Sequence, residues 1–248
     1  HPDIQALALH QLQESKELSD QHLLEYLKTS PYESVRLEAF LLLQQRHSDD
    51  FVSAIENAAD DNFELLQRFA VNALIKNGDP RLANTLAGKL CDVNTSARVA
   101  FNALQGTQFF SRQNLLPAVE DRLRQVAPYV VQPETYAKGV LKNAENYAGR
   151  WNEEIEKLCK GEMSHKRALT QINFMRIYCP PYLLPQVAGY AATLKDDELL
   201  LPLLEALGWH RQAYTSAQVV PVVEKLMKDT SHSEQVRQEA LKTYKRLK

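Results

Sequence analysis

Glycine is scarce in this chain, with eight in 248 residues. That fits a mostly helical protein joined by short turns. Neither a GxGxxG stretch nor a P-loop occurs, so the common nucleotide-cradling signatures are missing. Cysteine is scarcer still. Cys91, Cys159 and Cys179 stand far apart, with no CxxC and no metal spacing, and read as buried free thiols. An odd count also argues against a domain built on disulfides. No run approaches the roughly 20 apolar residues of a membrane helix, so no membrane span is expected. No signal peptide is visible. The chain opens at His1-Pro2 within a repeat and reads as a fragment or a mature form, which makes that absence uninformative.

An excess of one charge is lacking too. The formal net charge is −2 and the sequence pI about 6.4. Proteins that track a phosphate backbone usually carry a basic excess, so no nucleic-acid partner is expected. Catalytic patterns are equally thin. The histidines, His1, His10, His22, His47, His165, His210 and His232, are scattered. None sits in HExxH, and His10 with Glu14 makes only two ligands. The doublets Asp49-Asp50, Asp60-Asp61 and Asp196-Asp197 precede apolar-periodic runs, where carboxylates cap helices. No GxSxG motif or Cys–His pair stands out. The chain is therefore expected not to be an enzyme and to need no cofactor and no metal.

What the chain does have is repetition. Val219, Val222, Val223 and Leu226 form one helical stripe, with Pro221 read as lying in the first turn, where a missing N–H costs nothing. After the polar turn around Thr230-Ser231, Val236, Ala240, Tyr244 and Leu247 form a second stripe. The string TS, four residues, VR, one residue, EA occurs at 29–39 and again at 230–240. Arginine recurs at Arg36, Arg68, Arg98, Arg167 and Arg237, at intervals of about 30 and then about twice 35 residues. Leu116-Pro117, Leu184-Pro185 and Val220-Pro221 carry a second marker, apolar-apolar-Pro-x-Val, in step with the first. Two helices per period of this length make an α-solenoid.

A proline in the first helix, a polar turn, and a Val-Arg-x-x-Ala start to the second helix resemble HEAT repeats. The resemblance is strongest in the last unit and weakest at 127–150. It implies that Arg36, Arg68, Arg98, Arg167 and Arg237 form a ladder, each pairing with an acidic residue of a neighbouring unit. Leu201 at the aligned place would interrupt that ladder.

Read in order, the sequence predicts an all-α superhelix of about seven antiparallel helix pairs after a leading half-repeat at 3–14, whose stripe is Ile4, Leu7, Ala8 and Leu12. It is expected to form one continuous domain over 1–248, with a partly buried link and a bend near 127–135. An aromatic group gathers in the C-terminal half: Tyr147, Trp151, Tyr178, Tyr182, Trp209, His210 and Tyr214. Tyr178, Tyr182, Trp209, His210 and Tyr214 are the candidate partner contacts, since partner anchors are often Trp and Tyr. The leading functional expectation is a non-catalytic scaffold that binds a protein or peptide on its concave face. One alternative is an accessory or regulatory segment of a larger multidomain enzyme. A further one, a HEAT-like DNA glycosylase, fits Trp151 and Trp209 but not the charge balance.

Overall fold

The computed structural model describes residues 1–13, 18–46, 48–149 and 152–248. Among them it contains α-helices and short 3-10 turns, and no strand. The helices are α1 (Pro2–Gln11), α2 (Asp20–Thr29), α3 (Glu33–Gln45), α4 (Phe51–Ala59), α5 (Glu64–Asn77), α6 (Ala83–Cys91), α7 (Ala97–Gly106), α8 (Arg112–Val126), α9 (Pro133–Gly149), α10 (Asn152–Cys159), α11 (His165–Tyr178), α12 (Leu184–Ala191), α13 (Asp197–Gly208), α14 (Ser216–Lys228) and α15 (Glu234–Leu247). A leading helix is followed by seven pairs. This is the all-α solenoid plan that the periodicity implies.

The chain divides into two compact units. The first comprises residues 1–75, 81–106 and 118–140. In it α2 packs on α3 and α6 on α7 within pairs, while α1 meets α3 and α2 and α6 both meet α4. Leu23, Ala39, Phe40, Leu43, Ile55, Leu66 and Leu74 are buried between them. The stripe assigned to α1 is corrected here. Ile4, Leu7 and Leu12 are 67, 58 and 47 % exposed, and Leu9 is the buried residue. The helix packs on α3, and that contact covers only the Leu9 side.

The second unit comprises residues 76–80, 107–117 and 141–248. Here α11, α13 and α15 stack in one row and α10, α12 and α14 in another. Ile155, Ile172, Met175, Val187, Leu200, Leu204, Val219, Val223 and Val236 belong to a single apolar core between the rows. The Thr243 hydroxyl donates to the Leu204 carbonyl at 2.8 Å and ties α15 to α13.

Two local readings also change. Pro221 is not in a first turn, because α14 begins at Ser216. Pro117, Pro202 and Pro221 each occupy the sixth position of their helix. Each removes the bond that would reach back four residues, to Gln113, Glu198 or Ala217. Those three residues are all exposed, so water can take the freed carbonyl. The second change is the link after α8. It was expected to be partly buried, yet Tyr129 is 81 % and Val131 99 % exposed. A 3-10 turn at Ala127–Tyr129 followed by extended Val130 carries both side chains outward.

Candidate functional site

The site lies in the second unit and starts from the turn that ends α5. Gly78 has φ +63°, a conformation that L side chains rarely adopt. A Cβ there would also stand 2.5 Å from Cγ of Pro181. Backbone therefore packs directly on proline. The Asn77 carbonyl accepts from the Tyr214 N–H at 2.9 Å, and the Asn77 side-chain amide donates to the Gln212 carbonyl at 3.2 Å. These bonds bring Lys76 beside the segment that follows α13.

Lys76 and residues of three other elements enclose a cleft of about 500 Å³. The C-terminal end of α11 supplies Arg176 and Ile177, the segment after α13 supplies Trp209 to Gln212, and α15 supplies Arg246. Gly208 allows the close approach of α15: a Cβ there would lie 3.2 Å from Cδ of Arg246.

The charges are unequal. Arg176 is bound by Glu205 at 2.6 Å. The Arg246 guanidinium lies 5.8 Å from the centroid of the Trp209 ring, and its nearest carboxylate is Glu239 at 3.9 Å. Lys76 and Arg211 are exposed, and neither is paired with a carboxylate among the described residues. His210 adds no charge near neutral pH. Burial lowers its pKa, against the opposing pull of its 2.6 Å hydrogen bond from Nε2 to the Met175 carbonyl. Trp209 is 61 % exposed and Ile177 70 %. The cleft thus joins cationic side chains to an open aromatic face, an arrangement able to hold an anion carrying an apolar or flat body.

The candidate partner residues separate. Trp209 and His210 line the cleft. Tyr178, at the end of α11, stacks on Phe174 with centroids 4.6 Å apart and also neighbours Phe109 at 6.4 Å. Tyr182 packs against the core, and burial raises its pKa, with Glu156 adding to the effect. Tyr214 is half-buried, and its N–H is the one bonded to Asn77. Trp151 and His47 lie outside the described residues. Sequence reasoning singled out Trp209 and His210 but missed Lys76, Arg176 and Arg246. No local signal could have joined Lys76 to residues some 135 positions away.

The five arginines behave differently from one another. Arg36 of α3 clasps Asp61 with Nε at 2.7 Å and Nη2 at 2.8 Å, and also donates to the Ser30 carbonyl and to Asn62. The hydrogen bond to Asp61 raises its pKa. Arg167 pairs with Glu154 of its own pair at 2.7 Å. Arg68 is half-buried and Arg98 exposed, and neither forms an ion pair among the described residues. The Arg237 Nε is buried without a partner among the described residues. The acceptor explains the contrast. Asp61 stands 25 residues after Arg36, whereas the same step from Arg68 reaches Val93 and from Arg98 reaches Leu123. Other cations join neighbouring elements instead: Arg46 meets Asp20, and Lys89 meets Asp60.

The acidic doublets also divide. Asp196 caps α13 by accepting from the Glu198 N–H, and Asp61 accepts from the Phe63 N–H. Asp50 stands at the start of α4, but its carboxylate accepts from Gln21 instead. His165 lies 3.2 Å from both Asp196 and Glu198. Among the described residues no group of three His, Cys, Asp or Glu side chains comes together as a metal ion would need. No described helix is long and apolar enough to cross a membrane.

No protein-family model matches this chain, and no curated protein does. Among solved structures, that of human deoxyhypusine hydroxylase in complex with glycerol is similar, at 15 % identity and a TM-score of 0.34, over 95 % of this chain and 98 % of that one. That protein is an enzyme. The expectation of a non-catalytic scaffold is corrected on general grounds, because a helical-repeat fold by itself does not exclude catalysis. What stands is the coarser statement, that this chain is an all-helical repeat protein.

Proposed function

We propose that this chain is a HEAT-like accessory or regulatory segment of a larger enzyme, and that it acts by holding an anionic ligand in the cleft around Trp209. One observation carries the reading: Lys76 and Arg211 open into the same cleft as Arg176 and Arg246 without carboxylates of their own. Four cations set against Glu205 and a Glu239 that also binds Lys242 at 3.1 Å leave an excess of at least two positive charges. Such an excess attracts anions well beyond contact range at low salt. Within this reading Trp209 and His210 belong to the site, with Tyr178 at its edge, while Tyr182 and Tyr214 serve packing.

The test is calorimetric titration of the protein with phosphate, sulfate, citrate and polyglutamate at low and high salt. Saturable binding of at least one anion is expected, weakening as salt rises. In Lys76→Gln/Arg211→Gln protein with an unchanged circular-dichroism melt, it should fall about tenfold or more. If no anion binds saturably, the reading is wrong.

A further inference from the structure

The cleft is specific enough in charge, size and surface to name a ligand class, and this step rests on the anion reading just given. We infer that it takes a phosphate monoester borne on a flat ring, such as a mononucleotide or a small aryl phosphate.

Charge comes first. Arg176 is occupied by Glu205 at 2.6 Å, and Arg246 is engaged loosely with Glu239 at 3.9 Å. Glu239 is also held by Lys242 at 3.1 Å, so Lys76 and Arg211, unpaired with any carboxylate among the described residues, give a complement of at least two positive charges. A phosphate monoester carries about −1.5 to −2 at neutral pH, so one such group matches them, whereas a single carboxylate leaves one cation unmet. Geometry agrees. Arg211 offers a planar fork that grips phosphate oxygens in pairs, and Lys76 offers a compact point charge in the same cleft.

Size and surface complete the case. A cleft of about 500 Å³ falls in the range of small-molecule sites and is too small to seat a folded partner. Its apolar walls are Trp209 and Ile177, 61 and 70 % exposed. An indole this open is a stacking surface, and Arg246 beside it draws electron-rich rings to the same place. The Lys76 arm is held in position by bonds from Asn77 to Gln212 and Tyr214, so the site is built before a ligand arrives.

Calorimetry with four probes tests this: phenyl phosphate, adenosine monophosphate, inorganic phosphate and polyglutamate. At least one of the two ring-bearing phosphates should bind ten or more times tighter than inorganic phosphate. Which of the two is tighter separates a nucleotide from a simple aryl source. Arg211→Gln should weaken both ring phosphates about tenfold. Trp209→Leu should abolish the preference for a ring while inorganic phosphate still binds, provided the melting temperature is unchanged. Equal binding of ring-bearing and inorganic phosphate would overturn the ring but leave the anion reading intact. Polyglutamate binding tighter than every phosphate would overturn the phosphate class and likewise leave that reading. Failure of all four probes would remove both.

Discussion

At the scale of single residues, partners matter more than residue type. Arg36 and Asp61 have side chains only 9 and 10 % exposed, so removing one strands the other in a poorly hydrated place. Arg36→Ala is expected to cost about 3 kcal/mol in urea unfolding. Arg98→Ala, at an exposed position, should stay within about 0.5 kcal/mol. The recurrence of arginine was legible in the sequence. Its pairing was not, because the acceptor sits in another turn and must be a carboxylate there, as Asp61 is and Val93 is not.

His210 gives a pH dependence of known sign. Burial holds its pKa below the ordinary value, so the unfolded chain takes up the proton first. The contribution of the neutral ring is complete above the unfolded value near about 6.5. It is lost as pH falls from there toward the depressed folded value. His210→Gln should therefore flatten the decline in urea midpoint between about pH 7.5 and about pH 5.5 relative to the parent. The cysteines make a simpler case. Burial pushes the Cys91 thiol up to about 12 and the Cys159 thiol to about 11, and it raises that of buried Cys179 as well. A thiol-disulfide dye at about pH 8 should label the folded protein slowly and all three sites quickly in denaturant. Half-buried Cys159 should react first.

At the scale of elements, the helices were well read and their joints poorly. Apolar periodicity placed every pair because each stripe faces a neighbour along much of its length. Ends depend on single residues. Three prolines at the sixth helical position show that a helix can start a turn earlier than its proline suggests when the carbonyls left free meet water. The turn at Gly78 is the most demanding joint. Alanine there faces a left-handed backbone, at about 1–2 kcal/mol, and the Pro181 ring, at about 1–3 kcal/mol by comparison with overpacked cores. Gly78→Ala is expected to lower stability by about 2–5 kcal/mol in chemical denaturation, the sum of those two effects. At Gly161, also at positive φ (+71°) but with open space around it, the same change should cost only the backbone share.

For the whole molecule, repetition sets both the architecture and its vulnerability. In the second unit α13 is covered by α15 and α12 by α14, and Leu203, Leu204 and Leu207 are buried there. A chain ending at Thr215 should bind a hydrophobic dye and aggregate, which dye fluorescence and sedimentation will read. The architecture was visible in the sequence because stacking is local and periodic. The cleft was half visible. Trp209 and His210 were among the five candidate contacts, but Lys76, Arg176 and Arg246 come from separate elements.

The bonds from Asn77 to Gln212 and Tyr214 set an order of events during synthesis. Lys76 leaves the ribosome long before its companions, and about 135 residues must follow before the amide of Asn77 can find its carbonyl. At a translation speed of about 5–20 residues per second, that is a delay of roughly 7 to 27 s. Throughout it the nascent chain already carries paired helices while the cleft lacks a wall, and the cleft closes only once α15 has also emerged and supplied Arg246.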